Sequence, residues 1–169
     1  MKNCDPSKYL IRDMTASDWK SVSRIYQKAM DTNNATFQVT SPTWEEFDIA
    51  HTQNCRYVIL HEDIIIGWVA LTPVSKRPVY AGVAEVSIYI DDAFKGMGVG
   101  YTLLTYLIEK SEQEGYWTLQ SGIFPENLAS IRLHEKCGFR LVGCREKVGK
   151  DQFGVWRDSF FMEKRSRVV

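Results

Sequence analysis

The sequence predicts an α/β protein with a central mixed, mostly antiparallel sheet of about seven strands flanked by about four helices. The order of the expected elements is the first observation: strand, two helices, three strands, helix, strand, helix and two strands. The second is an apolar strand at 85–90 that runs into a glycine-rich helix start at 95–100. The third is size, because 169 residues, 44% of them hydrophobic, fit one compact domain spanning 1–169.

Hydrophobic spacing and capping residues locate the elements of the first half of the chain. Val22 and Ile25 recur at the helical interval after a capping sequence at Thr15, and Thr43 is suited to cap a second helix. A short hairpin turn is expected at 62–63, between two apolar runs. The expected elements are a strand at 9–13, helices at 15–32 and after 43, and strands at 56–61 and 64–72.

The second half continues with a strand at 85–90, whose lack of clear polar alternation indicates that both faces are covered. Leu103 and Leu107 belong to the apolar stripe of the following helix, which Gly115 ends. The remaining expected elements are a strand at 117–124, a helix from Asn127 to Gly138, and strands at 140–148 and 155–163 around a loop at 149–154.

The run from Lys95 to Gly100 has the character of an anion-binding helix start. The first N–H groups of a helix have no partners and lie at the positive end of its dipole, and glycines let an anion approach them. The spacing lacks the third glycine of the dinucleotide fingerprint and the Gly-Lys-Ser/Thr of the nucleotide-triphosphate loop. A phosphate-bearing ligand of another kind is therefore expected.

Composition excludes several function classes. Basic and acidic residues number 21 each, and the only basic cluster is a tail at 164–167, which argues against nucleic-acid binding. The chain shows no apolar leader and no run long enough to span a bilayer, so a cytoplasmic protein without membrane contact is expected. His51, His61 and His134 lack ligand spacing among carboxylates or thiols, so no metal site is expected.

The four cysteines, Cys4, Cys55, Cys137 and Cys144, show neither metal-ligand spacing nor the density of a disulfide scaffold. Reduced thiols in a reducing compartment are expected, with the last three in the core or half-buried. A catalytic thiol is disfavoured, although His134 lies close enough to Cys137 in sequence to keep that alternative open.

The same glycine run resembles the acetyl-CoA signature of the GNAT N-acetyltransferases, with Lys95 where the signature has Arg or Gln. The element order resembles the GNAT fold over nearly the entire chain. Further blocks are similar to the phosphinothricin acetyltransferase family: 35–37, 67–71, 84–90, 127–139, 148–150 and 154–158. The resemblance implies acetyl-CoA as co-substrate, a small-molecule amine as acceptor, and acetylation of the α-amine of glutamate-like compounds such as phosphinothricin or methionine sulfoximine.

The chemistry requires a base, because an amino-acid amine is an ammonium at neutral pH. The resemblance implies Glu85 for this role, in direct or water-relayed contact with the amine. The structural alternative is a carboxylate paired with a nearby arginine such as Arg77.

Attack on the thioester also needs stabilisation of an oxyanion and of the departing thiolate. The resemblance implies that backbone N–H groups near Ile88 and Ile90 meet the oxyanion, and that His134 serves as the acid or as a helper in amine deprotonation. A packed histidine without a chemical role is the alternative. The expected cofactor-binding residues are Ile88, Tyr89, Ile90, Lys95, Gly96, Met97, Gly98, Val99, Gly100, Asn127 and Ser130.

An amino-acid acceptor brings a carboxylate, for which arginine is a bidentate partner. Arg77 is the first candidate, with Lys76, Tyr80 and Phe37 near it, although an exposed turn is the plainer interpretation of this loop. Direct transfer in a ternary complex is expected, with a Cys137 acyl-enzyme as the lesser alternative. Two other functions stay open: acetylation of a polyamine, aminoglycoside or protein N-terminus, and acetyl-CoA sensing without turnover. The resemblance also implies a homodimer formed through the C-terminal region.

Overall fold

The computed structural model describes residues 8–169, so Cys4 lies outside the described part. The helices in that part are α1 Trp19–Asp31, α2 Trp44–Ala50, α3 Val99–Gln113 and α4 Leu128–Lys136. The strands are β1 Leu10–Asp13, β2 Tyr57–His61, β3 Ile64–Pro73, β4 Val83–Ile90, β5 Thr118–Ile123, β6 Arg140–Lys150 and β7 Trp156–Arg165. These strands form one sheet in the order β1-β2-β3-β4-β5-β7-β6, and neighbours are antiparallel except for the parallel pair β4–β5. The predicted α/β class, strand number and helix number are confirmed.

Local chemistry explains several element boundaries. Thr43 begins α2 with a reciprocal capping box, in which its hydroxyl accepts from the Glu46 N–H and the Glu46 carboxylate accepts from the Thr43 N–H. The β2–β3 turn consists of Glu62 and Asp63 with φ of 49° and 65°, the left-handed pair that suits a two-residue hairpin. The sequence prediction of both features is confirmed.

The sheet separates two apolar clusters. Ala84 and Val86 of β4 belong to the cluster under α3 and α4, and Ile88 and Ile90 pack against it. Tyr89 packs against the other cluster, which α1 and α2 cover. Since side chains alternate along a strand, Glu85 and Ser87 lie on the same face of β4 as Tyr89. The alternation therefore determines on which side of the sheet, the α3–α4 side or the α1–α2 side, each candidate residue of β4 lies.

Three local expectations need correction. Strand β6 continues through Gly149 to Lys150, where a loop was expected, because 149–150 still pair with β7. Cys144 is exposed because β6 is the outermost strand of the sheet, whereas Cys55 and Cys137 are buried as expected. Glu85 is exposed, so β4 is not covered on both faces along its whole length.

Candidate active site

The central feature of the site is a divergence of the two parallel strands. Strands β4 and β5 pair only between Val83–Glu85 and Thr118–Gln120, and their pairing stops there. Past this point a cavity of about 480 Å³ opens between the strands. Its walls come from α1 and the loop after it, from β4 and the end of β5, from α4, and from the glycine-rich segment 95–100, called the glycine loop below. The wall residues are Ala29, Thr32, Asn34, Ala35, Val86, Ser87, Ile88, Tyr89, Ile90, Phe94, Lys95, Gly96, Gly98, Gly100, Tyr101, Ser121, Gly122, Ile123, Asn127, Ala129, Ser130, Leu133 and His134.

The divergence leaves one backbone edge of β4 facing the cavity. In an antiparallel pair, alternate residues direct both backbone groups at the same neighbour. Just beyond the end of β4, the Asp91 N–H donates to the carbonyl of Ile66 in β3 at 2.8 Å. The backbone N–H and C=O groups of every second residue before Asp91, including those of Tyr89, therefore also point towards β3. The N–H groups of Ile88 and Ile90 therefore face the gap where β5 has departed. This places two donors in the orientation that the sequence prediction required.

The glycine loop places the start of α3 at the same cavity. Gly98 adopts φ +80° immediately before α3, a conformation that a residue with a side chain rarely takes. A Cβ on Gly100 would come within 3.1 Å of Leu133 Cδ2, so the absent side chain lets α3 and α4 approach each other. Lys95 lines the cavity and forms an ion pair with Asp92. The first turn of α3 thus presents unpaired N–H groups beside an exposed cation.

His134 is buried on α4 with 1% of its surface exposed, and it lies in the cavity wall. Its Nδ1 lies 2.8 Å from the Ser130 carbonyl oxygen one turn earlier, so Nδ1 carries the proton and donates. Its Nε2 is buried and has no hydrogen-bond partner among the described residues. Burial holds the pKa of His134 below its ordinary value, so the ring is neutral near pH 7. The free Nε2 is consequently a proton or hydrogen-bond acceptor.

Two tyrosine rings pack together on the α1 side of β4, and one of them, Tyr89, lines the cavity. The rings of Tyr26 and Tyr89 lie 4.7 Å apart, and burial raises the pKa of both phenols. The Tyr26 hydroxyl donates to the side-chain oxygen of Gln38 at 2.9 Å. Both phenols stay protonated at neutral pH and serve as neutral hydrogen-bonding groups.

Glu85 occupies the last paired position of β4, opposite Gln120, just before the strands diverge. It is exposed and does not line the cavity. The alternative in which Arg77 pairs with it is wrong for this structure, since among residues 8–169 no ion pair joins the two. The Arg77 guanidinium instead lies 5.5 Å from the centre of the Tyr80 ring.

The four predicted acceptor-binding residues do not lie on the cavity wall. Lys76, Arg77 and Tyr80 are exposed on the loop that precedes β4, at the end of the strand opposite the glycine loop. Phe37 packs edge-on against Phe124, with ring centres 4.8 Å apart. Two predicted cofactor-binding residues also lie outside the wall: Val99 is buried in the core, and Met97 is exposed. The structure therefore brings together the predicted cofactor residues more completely than the acceptor residues.

The predicted site residues included Phe37 of the α1–α2 loop but none of the loop residues that enter the wall, which are Thr32, Asn34 and Ala35. They also included no residue of β5, from which Ser121 and Gly122 enter the wall. The family resemblance of 35–37 and the polar character of the loop pointed to this segment, but they did not specify its position in space. For β5 there was no signal, because its exposure results from the departure of β4.

Cys137 has the wrong surroundings for a nucleophile. Its side chain is buried and lies 3.9 Å from the Thr105 hydroxyl. Burial raises the pKa of the thiol, which reduces the reactive thiolate fraction. Cys137 is also absent from the cavity wall.

Residues 8–169 contain no group of three or more metal-binding side chains close enough to hold an ion. The same residues include no helix with the length and apolar character needed to cross a bilayer.

The fold is a mixed sheet in which a cavity separates two parallel strands. Residues 19–139 match the model of the acetyltransferase (GNAT) family, and the chain belongs to that family. It is therefore an acetyltransferase, as the sequence predicted.

Individual relatives show which acetyltransferases the chain resembles. An L-methionine sulfoximine/L-methionine sulfone acetyltransferase of Pseudomonas aeruginosa is 29% identical over 161 residues, covering 90% of this chain and 92% of that protein. A phosphinothricin acetyltransferase from Sinorhizobium meliloti, solved in complex with AcCoA, superposes with a TM-score of 0.84 at 29% identity, covering 94% and 88% of the two chains. A ribosomal-protein-alanine N-acetyltransferase from Brucella melitensis superposes with a TM-score of 0.82 at 30% identity, covering 93% and 99%. The predicted relationship to phosphinothricin and methionine sulfoximine acetyltransferases is confirmed.

Proposed function

We propose that the protein transfers an acetyl group from acetyl-CoA to the α-amine of a small amino acid or glutamate-like analogue, by direct transfer in a ternary complex. The observation that carries the proposal is the unpartnered Nε2 of His134 at the wall of the cavity where β4 and β5 diverge. A buried polar atom without a partner costs free energy, so its retention indicates a functional partner.

The residues present fit acetyl-CoA. When bound, acetyl-CoA supplies the thioester whose acetyl group is transferred. The start of α3 and Lys95 suit its pyrophosphate, and the free N–H groups of Ile88 and Ile90 suit its amide-bearing arm. Asn127 caps α4 through the Ser130 N–H, and both residues line the cavity. The backbone at Ile88 and Ile90 also provides donors for a developing oxyanion.

The proton chemistry favours His134 as a base before it acts as an acid. A neutral ring that already donates through Nδ1 has a lone pair at Nε2 and no second proton to give. His134 therefore takes a proton from the ammonium group, and only then can Nε2–H return one to the departing sulfur. Glu85 lies three residues before Ile88, roughly 10 Å along the strand, which favours a water-relayed contribution over direct contact.

Direct transfer is supported by the surroundings of Cys137. Cys137 lies outside the wall with a raised pKa, so the amine rather than the protein is the group that attacks. We propose that the acceptor amine enters between Ala35 and Ser87, with Arg77 and Lys76 at the outer approach for its carboxylate. Both loop residues are exposed and form no ion pair among residues 8–169, which leaves their charges available.

A protein N-terminus is the second candidate acceptor. The structural similarity to the Brucella protein-alanine acetyltransferase favours it, since that similarity extends over 93% of this chain. A peptide acceptor would need an open approach to the cavity, whereas a free amino acid would use a cationic partner for its carboxylate. Polyamines and aminoglycosides lack that carboxylate and are less suited to the Lys76–Arg77 loop.

We further propose a cytoplasmic homodimer in which residues 1–169 act as one catalytic domain. The free thiols of Cys55, Cys137 and Cys144 are in keeping with a reducing compartment. The edge strand β6 and the start of β7 expose apolar side chains that a second copy would cover, including Leu141, Val142 and Trp156. Sedimentation that shows only monomer at micromolar concentration would refute the dimer.

The activity test measures free-CoA release with acetyl-CoA and an acceptor panel: phosphinothricin, methionine sulfoximine, methionine sulfone, an alanine-initiated peptide, a polyamine and an aminoglycoside. Release confined to the glutamate-like compounds supports the proposal, and release with the peptide alone supports the second candidate. Binding of acetyl-CoA without release from any acceptor rejects the proposed acceptor class. The variant Glu85→Gln, compared with wild type for both turnover and acetyl-CoA affinity, separates a proton-handling carboxylate from one with no role.

A further inference from the structure

We propose that Arg157 and Asp151 are positioning residues that hold the α1–α2 loop, residues 32–43, over the acceptor end of the cavity and thereby set affinity for the amine. This inference rests on the proposed function. Both residues belong to the β6–β7 hairpin, outside the cavity wall. They act through the loop rather than by touching the reacting groups.

The contact falls on a single loop residue, Asn33, and uses both its side chain and its backbone. The Asn33 side-chain amide donates to Asp151 Oδ2 at 3.0 Å. The Arg157 guanidinium donates to the Asn33 carbonyl oxygen at 2.9 Å. Asn33 adopts φ 50°, a left-handed conformation that asparagine tolerates better than most residues. The loop is therefore fixed next to the residues that enter the cavity, Asn34 and Ala35.

Asp151 is itself held in place. Its Oδ1 accepts from the N–H groups of Phe153 and Val155, each at 3.0 Å, within the hairpin turn. Its side chain is only 4% exposed and pairs with Arg157 at 3.4 Å. The hydrogen bonds from Asn33 and the turn hold the pKa of Asp151 below its ordinary value, so it stays ionised. A buried, fully engaged carboxylate gives the loop a rigid attachment point.

Aromatic packing adds a second attachment between the same elements. The Arg157 guanidinium lies 4.2 Å from the centre of the Phe124 ring, and Phe37 of the loop packs edge-on against the same ring, with ring centres 4.8 Å apart. A Cβ on Gly149 would come within 3.0 Å of the Phe37 ring, so β6 and the loop are in close contact. Arg157 also pairs with Glu126 at 3.2 Å, but that carboxylate is 64% exposed and contributes little.

The far end of the loop is tied to α1. The Gln27 side chain donates to the Val39 carbonyl at 3.0 Å and accepts from the Ser41 N–H at 2.9 Å. The intervening segment carries Ala35 in the cavity wall and Gln38, whose side-chain oxygen accepts from the Tyr26 hydroxyl at 2.9 Å. The glycine loop and the start of α3, which suit acetyl-CoA, make no contact with Arg157 or Asp151 in these networks. Loosening the attachment should therefore affect the acceptor more than acetyl-CoA.

Two variants test this from opposite sides of the contact. Arg157→Gln removes the guanidinium, and Asn33→Gly removes the amide donor while keeping a residue that accepts positive φ. Arg140→Gln is the matched control, because Arg140 pairs with Glu163 on the same hairpin away from the loop. In each test variant the KM for the acceptor should rise about tenfold, with kcat reduced less and acetyl-CoA Kd unchanged. The two effects should combine less than additively, since both variants break one network.

Hydrogen exchange supplies a readout that does not depend on turnover. Amides 33–37 should exchange several-fold faster in both test variants than in wild type and Arg140→Gln, while amides of α3 stay protected. Unchanged exchange at 33–37, or acetyl-CoA Kd rising in proportion to the acceptor KM, would overturn the inference. If the wild-type protein acetylates none of the amines, the proposed function fails separately, and the exchange comparison still decides whether the hairpin holds the loop.

Discussion

The Nδ1 atom of His134 lies 2.8 Å from the carbonyl oxygen of Ser130, one turn earlier on α4. This contact fixes the tautomer of a neutral imidazole and directs its lone pair through Nε2. The same helix turn also contributes Ser130 to the cavity wall. A backbone hydrogen bond thus determines which ring nitrogen carries the proton, and burial keeps the ring neutral.

Replacement of His134 by glutamine should remove the basic ring nitrogen Nε2, which can take up a proton, while keeping a polar side chain. We expect kcat/KM for the acceptor amine to fall about 10²-fold or more, with acetyl-CoA Kd changed little. Steady-state kinetics and calorimetric titration measure the two quantities. His51→Gln is the matched control, because His51 Nδ1 also lies 2.8 Å from a carbonyl one turn earlier, that of Phe47. Equal losses in both variants would assign His134 a packing role only.

Stability should decrease as the pH falls below neutrality. The pKa of His134 in the folded protein is below the unfolded value of about 6.5, so the unfolded chain takes up the proton first. The stabilising contribution is therefore complete above about pH 6.5 and is lost as pH falls through the folded pKa. Denaturant unfolding at several pH values between about 5 and 8 should show a smaller loss for His134→Gln than for wild type. Identical slopes would contradict the lowered pKa.

Removal of the Cys137 thiol should leave the reaction intact. Cys137→Ser is expected to retain acetyl transfer within a few-fold, because the thiol is buried outside the cavity wall and its pKa is raised. Denaturing mass spectrometry of wild-type protein mixed with acetyl-CoA alone should show no added acetyl group. An adduct that disappears in Cys137→Ser would establish the acyl-enzyme instead.

Addition of a side chain at Gly100 should weaken cofactor binding. A Cβ there would already come within 3.1 Å of Leu133 Cδ2, so Gly100→Val forces Leu133 or the start of α3 to move. We expect acetyl-CoA Kd to rise at least about tenfold, measured by calorimetric titration. Gly143→Val is the control, since a Cβ at Gly143 meets no atom within 4 Å. An unchanged Kd in Gly100→Val would show that this approach of α3 and α4 is unrelated to the ligand.

The sequence by itself determined most of the elements and the glycine-rich start of α3. Gly96 and Gly98, which adopt positive φ, and the cap at Thr43 act through neighbouring residues, so short stretches of sequence are enough to predict them. Motif blocks around Glu85 and His134 likewise identified the family, and its model matches residues 19–139.

Tertiary structure alone decided how these pieces meet. The burial of His134, the freedom of its Nε2, and the contact of Asn33 with Asp151 and Arg157 depend on residues more than 100 positions apart or on packing between layers. The exposure of Cys144 followed from the position of β6 at the sheet edge. Spacing along a chain constrains neighbours within a turn or a strand, whereas burial and long-range hydrogen bonds are set by the order and divergence of the strands.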